Sequence, residues 1–166
     1  MKVSFWIVGL LMLLLRSQST AAQNKKQILG WLRENLKEIK FTNNDPDLRF
    51  SVRKTYIFNE DYFVVKTEKY HADKSLDLPA GFAKIWYKNI IDTSAQGYQQ
   101  QPRKDLRVFT IWANPGYFIL GHLGAPLKYW STFQGATGVD LYLPGNKATS
   151  DTIISKLIKL RDLTLP

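Results

Sequence analysis

Residues 47–70, DLRFSVRKTYIFNEDYFVVKTEKY, decide the fold because they have the pattern of two strands joined by a short turn. Apolar and aromatic side chains share one parity in the first strand, and only Lys54 interrupts them. The members of that parity are Leu48, Phe50, Val52, Tyr56 and Phe58. Such alternation is typical of a strand with one buried face. Residues 59–61 have the length of a hairpin connection, so 62–70 is predicted to be the return strand.

The basic residues of this hairpin raise the question of nucleic-acid binding, because single-strand binders place aromatic side chains inside a basic groove. Here Arg49 and Arg53 lie on one face of the first strand, whereas Phe50 and Tyr56 lie on the other. A stacking platform needs both kinds of residue on the same face, and a sheet with one buried face needs them apart. The sequence therefore indicates a solvated sheet face and argues against a nucleic-acid partner.

Further strand patterns follow along the chain. In 82–88, every second residue belongs to the set Phe82, Lys84, Trp86 and Lys88. Residues 106–113 predict another strand, the Asn-Pro-Gly at 114–116 a turn, and 117–123 a hairpin partner. Residues 127–133 and 138–145 are two more strand candidates. The segment 92–105 is rich in Gln, Gly, Ser and Pro, so we predict a loop there.

A helix is predicted at each end of this strand region. The first spans 25–40, with Asn24 as its N-cap. Its apolar face contains Ile28, Leu29, Leu32, Leu36 and Ile39, which recur at helical spacing. The second helix is expected to begin at Ser150 and to run for roughly three turns. Its apolar face contains Ile153, Ile154, Leu157, Ile158 and Leu160.

Together these elements predict an α+β fold: a strongly bent antiparallel sheet or partial barrel of about seven strands, with an N-terminal and a C-terminal helix. This element order resembles the pleckstrin-homology-like barrels, in which one C-terminal helix closes a bent sheet. The resemblance lies in the element order alone and assigns no functional residue. The N-terminal helix is a departure from that plan.

Residues 1–22 are predicted to be a signal peptide, and 23–166 a single exported domain. Lys2 supplies the positive start, the run 3–15 is apolar, and small residues end the segment at Ala21 and Ala22. Cleavage after either alanine fits this pattern. The alternative is an uncleaved anchor ending at Arg16, although the apolar run is shorter than the ~20 residues of a bilayer span. We therefore expect a secreted or periplasmic protein.

Charge and cysteine usage narrow the classes of partner. The chain carries a net charge of +9, and removal of Lys2 and Arg16 with the signal leaves +7. Such a charge favours an anionic polymer, a carbohydrate-rich surface or an acidic protein as partner. The chain has no cysteine, which excludes disulfides, thiolate metal sites and cysteine nucleophiles. An exported protein without disulfides fits a bacterial envelope.

Catalytic and metal-binding patterns are weak. His71 and His122 are the only histidines, and they lack the spacing of a metal site. His122, in an apolar segment beside glycine, is the candidate for a cleft position, although a structural histidine is the alternative. Acidic residues are scattered over predicted turns. We therefore predict no catalytic residue, no metal site and no cofactor.

The strongest candidate for a binding surface is the parity of Lys84, Trp86 and Lys88, because aromatic rings among lysines suit carbohydrate or protein contact. Trp112 and Tyr117 flank the 114–116 turn and are candidates for an aromatic rim. A large residue that covers the second face of a curled sheet would give the same pattern.

Three functions fit these observations. The first is an exported, non-catalytic binding domain with a basic and aromatic sheet surface. The second is an envelope hydrolase that uses carboxylates together with His122, which requires acidic residues to converge on that histidine. The third is an inhibitor or immunity protein, which the sequence does not distinguish from the first.

Overall fold

The structure is a computed structural model. It describes residues 4–42, 51–71, 81–95, 105–113, 119–122, 131–132 and 137–165. In 4–19, 92, 94–95, 119–122, 131–132 and 137 it describes the backbone alone.

The described chain begins and ends with a helix and has strands between them. In chain order, the elements are α1 (Ser4–Asn35), β1 (Glu38–Thr42), β2 (Ser51–Phe58), β3 (Tyr62–Tyr70), β4 (Gly81–Trp86), a 3-10 helix (Tyr87–Asn89), β5 (Ile90–Ala95), β6 (Leu106–Ala113), β7 (Ile119–His122), β8 (Ser131–Thr132), β9 (Thr137–Pro144) and α2 (Lys147–Thr164).

The strands form two antiparallel sheets, which we call the large sheet and the small sheet. The large sheet has the order β1-β2-β3-β4-β7-β8, and the small sheet has the order β5-β6-β9. The predicted α+β class with antiparallel strands and two terminal helices is confirmed. Within the described residues, the strands of the predicted bent sheet or partial barrel divide between these two sheets, which do not close into a barrel.

The β2–β3 hairpin behaves as its sequence pattern predicts. Its register pairs Phe58 with Phe63 and Tyr56 with Val65. These four side chains, together with Val52, are at most 5% exposed. The opposite face carries Arg53, Lys66 and Glu68, because successive residues of a strand point to opposite faces, whereas Lys54 lies on the same face as Tyr56.

Both helix boundaries differ from the prediction. Asn24 lies inside α1, which ends at Asn35, and Ile39 belongs to strand β1 rather than to the helix. The backbone of 38–42 pairs with β2, and long-range pairing of this kind overrides a local helical preference. Helix α2 begins at Lys147, because the Asn146 side chain caps it by accepting a hydrogen bond from the Thr149 amide at 3.2 Å.

The helix start predicted at Ser150 is also corrected, and so are the first four residues, 92–95, of the loop predicted at 92–105. Residues 96–104 of that loop lie outside the described residues. Ser150 is buried inside α2, and its hydroxyl donates a hydrogen bond to the Pro144 carbonyl. Strand β5 includes residues 92–95, which pair with β6. The polar composition of residues 92–95 predicts a loop, but their backbone pairs with β6 and makes them a strand although their side chains lack a strand pattern.

The main core lies between the inner face of the large sheet, the small sheet and the two helices. Its most deeply buried members are Leu32, Phe63, Ile85, Tyr87, Ile111, Leu141, Leu143, Ile153, Leu157 and Leu160. A smaller cluster of Phe41, Val52 and Leu106 lies where β1 approaches the small sheet. There the rings of Phe41 and Tyr142 stack with their centroids 4.6 Å apart.

Side chains rather than a strand ladder join the two sheets at this point, which we call the seam. The Tyr56 hydroxyl donates to the Tyr142 carbonyl at 2.7 Å and accepts from the Tyr142 amide at 3.0 Å. The Lys54 ammonium lies 3.5 Å from the Asp140 carbonyl and 4.8 Å from the centre of the Tyr142 ring. Residues of β2 thus satisfy the outward backbone groups of β9 without pairing the two strands.

Candidate ligand-binding site

A lysine held between two aromatic rings marks the outer face of the large sheet. The strand register sets Tyr62 opposite Trp86, with Lys84 on the same face. The Lys84 ammonium lies 3.8 Å from the centre of the Tyr62 ring and 4.3 Å from that of Trp86. The two ring centroids are 5.9 Å apart, with a tilt of 51° between the planes. Both distances are within cation–π range, so the rings hold the charge at the surface.

This cluster faces outward because its neighbours in sequence face the core. Phe63 and Ile85 are fully buried, whereas Tyr62, Lys84 and Trp86 are only partly buried. The side chain of Ile57, which is 47% exposed, is on the same face. The surface therefore combines apolar area, aromatic rings and a positive charge.

A cleft of about 310 Å³ adjoins the cluster, and its lining comes from four separate elements. Asp61 lies in the β2–β3 turn, Trp86 ends β4, Lys88 lies in the 3-10 helix and Thr164 ends α2. The Thr164 hydroxyl donates to the helix carbonyls of Leu160 and Arg161. Its oxygen therefore offers an acceptor to a ligand.

Hydrogen bonds hold the walls of this cleft together. The Tyr87 amide donates to the Asp61 carbonyl at 3.0 Å, and the Tyr87 hydroxyl donates to the Asn59 carbonyl at 3.1 Å. Burial raises the pKa of the Tyr87 hydroxyl well above its ordinary value, so it stays a donor at neutral pH. The Arg33 side chain donates to the Phe58 carbonyl at 3.0 Å. Turn, 3-10 helix and α1 are thus fixed relative to one another, which favours a preformed site.

The charges around the cleft have an excess of cations. The Asp61 carboxylate accepts from the Lys25 ammonium at 3.0 Å, and the Asp61 side chain is still 72% exposed. Lys84 and Lys88 have no acidic partner among the residues that the structure describes. Lys88 lines the cleft with Asp61, Lys25 pairs with Asp61, and Lys84 lies against the Trp86 ring. These residues carry three positive charges and one negative charge, so the site favours an anionic ligand that also carries hydrogen-bond donors.

The opposite end of the same face is different, because each of its three cations lies beside a carboxylate. The Glu38 carboxylate pairs with the ammonium of Lys40 at 2.7 Å and with the Arg53 guanidinium at 3.4 Å. The Glu68 carboxylate pairs with Lys66 at 2.7 Å and lies 3.9 Å from Arg53. The hydrogen bond from Lys40 lowers the pKa of Glu38. This ionic row offers no comparable excess of positive charge.

Of the residues predicted for binding, Lys84, Trp86 and Lys88 come together at the cluster and cleft. Lys88 belongs to the 3-10 helix and not to the predicted strand, because the strand ends at Trp86. Trp112 lies on β6 of the small sheet, where it is 41% exposed and faces Gly138 across the ladder. It does not contribute to the cleft.

The other predicted positions are described less completely. Tyr117 lies outside the described residues. The backbone of His122 pairs with Gly81 at the end of β7, and its side chain is not described. The hydrolase alternative therefore stays a prediction. His71 is exposed at the end of β3, as expected.

Sequence reasoning misses Asp61, Tyr62 and Thr164 as site residues. Tyr62 carries a usable signal, because the hairpin register places it on the face opposite to Phe63. Asp61 has the pattern of a turn residue, and only the approach of the 3-10 helix brings it to a cleft. Thr164 comes from the far end of the chain, and no local pattern marks it.

Within the described ranges, no three His, Asp or Glu side chains come together in a way that could hold a metal ion. No helix in those ranges combines the length and the hydropathy that a membrane crossing requires. The chain matches no protein family, no curated protein and no solved structure with significant similarity.

Proposed function

We propose that this protein is an exported, non-catalytic binding domain. Its partner is anionic or carbohydrate-rich material of the cell envelope, or an acidic protein. The observation that carries this proposal is the Lys84 ammonium held between the Tyr62 and Trp86 rings beside a cleft with excess positive charge. Aromatic side chains with adjacent cations supply large contact area together with electrostatic attraction.

Export is part of the proposal because residues 1–22 have the layout of a cleaved signal. Helix α1 does not conflict with cleavage after Ala22, because Ile28 is the first core residue among those of its side chains that the structure describes, which begin at Thr20. The Lys25 contact with Asp61 also lies downstream of that position. The full chain should be produced in a bacterial host with its own N-terminus, and the intact mass of the recovered protein measured. A mass that begins at Ala22 or Gln23 supports export, and an uncleaved mass argues against it.

Binding is tested with defined probes on that preparation. Immobilised polygalacturonate and poly-L-glutamate represent anionic carbohydrate and acidic polypeptide, and dextran is the neutral control. We expect retention on at least one anionic probe, and weaker retention as salt is added, because salt screens exposed charges. Lys84→Glu and Lys88→Glu should each weaken binding at least fivefold, because each reverses a charge at the site.

Lys159→Glu is the matched control, because Lys159 is exposed on α2 and this substitution changes the net charge by the same amount as Lys84→Glu. Its effect should stay within twofold of the wild type. Equal losses for Lys84→Glu and Lys159→Glu would mean that only net charge matters. That result, or the absence of retention on every anionic probe, would refute the proposed binding site.

A further inference from the structure

The geometry points to an acidic sugar as the ligand of the cleft: one or two pyranose residues that carry a carboxylate. This inference rests on the proposed function and narrows its ligand class. We infer that the sugar stacks on Trp86, that its hydroxyls bind Asp61 and Thr164, and that its carboxylate pairs with Lys88.

The size of the cleft limits the ligand. Its volume of about 310 Å³ is at the lower end of ligand pockets, which span roughly 300–1,000 Å³. One or two sugar residues suit this volume, whereas a folded partner or a long peptide would rest mainly on the surrounding face. A longer polymer can still bind by placing one terminal or internal unit in the cleft.

The chemistry of the lining selects a sugar among small anions. A sulfate offers acceptors only and a phosphate at most one or two O–H donors, and neither has an apolar face to pack against Trp86. A sugar offers hydroxyl donors, which an exposed carboxylate and the Thr164 oxygen can accept. Trp86 lines the cleft, and this half-buried residue holds its ring beside Lys84 on the outer face, where the C–H face of a pyranose can pack.

The charge of the lining selects an acidic sugar over a neutral one. Lys88 lies in the cleft itself, Lys84 lies against the same tryptophan ring, and Lys25 approaches from α1. Because Lys25 is paired with Asp61, the net charge that remains for a ligand to neutralise comes from Lys84 and Lys88. A neutral sugar would leave both ammoniums uncompensated, whereas a uronic acid supplies one carboxylate within the size limit.

The probe pair for the test is digalacturonate and its methyl ester, which have the same ring shape and hydroxyls and differ in the carboxylate charge. Binding is measured by isothermal titration on the exported protein, and saturation-transfer NMR reports which sugar protons contact the protein. We expect saturable binding of digalacturonate, at least tenfold weaker binding of the ester, and the largest saturation transfer on one C–H face of the ring.

Single substitutions test whether digalacturonate binding depends on the cleft or on any exposed tryptophan. Trp86→Ala should weaken digalacturonate binding at least fivefold, and Trp112→Ala should not, because Trp112 lies on the other sheet. A circular dichroism melt checks each fold. Trp86→Phe keeps an aromatic ring and should retain partial binding, so it serves if Trp86→Ala does not fold.

The inference is overturned if the ester binds as well as the acid, or if Trp112→Ala weakens binding as much as Trp86→Ala. It also fails if digalacturonate does not bind while the protein is still retained on poly-L-glutamate through Lys84. In that case the proposed function stands without its sugar ligand. Loss of retention on every anionic probe is the separate result that refutes the proposed function.

Discussion

The Tyr56 hydroxyl provides the sharpest test of how the two sheets are joined. It is the donor to one backbone group of Tyr142 and the acceptor from another, at 2.7 and 3.0 Å, and Tyr56 is 5% exposed. Tyr56→Phe keeps the ring and removes both hydrogen bonds. A buried group left unsatisfied costs about 1–3 kcal/mol, and the two Tyr142 groups are only part-buried, so at about 1–2 kcal/mol each the free energy of unfolding should fall by about 2–4 kcal/mol. For a domain of this size, that lowers Tm by about 7–13 °C.

Urea unfolding followed by circular dichroism measures this change. The matched control is Tyr62→Phe, because Tyr62 lies on the same sheet and its hydroxyl makes no hydrogen bond within the described residues. Its effect should stay within about 0.5 kcal/mol. If Tyr56→Phe is as stable as the wild type, the hydrogen bonds of the Tyr56 hydroxyl do not stabilise the contact between the two sheets. Equal losses of stability in Tyr56→Phe and Tyr62→Phe would show that the loss does not depend on the hydrogen bonds to Tyr142.

Three other predictions concern single positions. Burial lowers the pKa of folded Lys54 to about 8 from its ordinary 10.5, so between these two pH values the unfolded chain binds more protons than the folded one. The free energy of unfolding should therefore rise from pH 7.5 to 9.5. Lys54→Met should remove that rise in urea midpoints, and an unchanged rise would contradict the lowered pKa of Lys54. A Cβ on Gly145 would lie 2.5 Å from the Asp105 carbonyl carbon, so Gly145→Ala should cost about 1–3 kcal/mol in urea unfolding. A Cβ on Gly30 would meet no atom within 4 Å, so Gly30→Ala should raise stability by about 1 kcal/mol in the same assay. A loss of stability there would contradict the open space beside Gly30 in helix α1.

The parts of the fold that the sequence predicts well are those with a strong local period. The β2–β3 hairpin follows from alternation, since every second side chain must enter the core. The same alternation rule predicts that Lys84 and Trp86 share one outward face, because Ile85 between them enters the core. Core positions of the helices, such as Leu32 and Leu157, follow from helical spacing in the same way.

The parts that sequence reasoning misses depend on contacts distant in the chain. Residues 38–40 end the predicted helix, but pairing of 38–42 with β2 makes this segment a strand. Residues 92–95 are polar, and pairing with β6 orders them. The cleft has the same origin, because Asp61 and Thr164 lie far apart in sequence and only the packing of the 3-10 helix and α2 brings them together.

The most direct test of the proposed binding surface compares two tryptophans of the same molecule. The indole N–H resonances of Trp86 and Trp112 are assigned with Trp→Phe variants and followed by NMR while polygalacturonate is added. We predict that the Trp86 resonance shifts or broadens with saturation and that the Trp112 resonance stays in place. A response at Trp112 alone, or at neither residue while the protein binds, would place the partner elsewhere and contradict the proposed site.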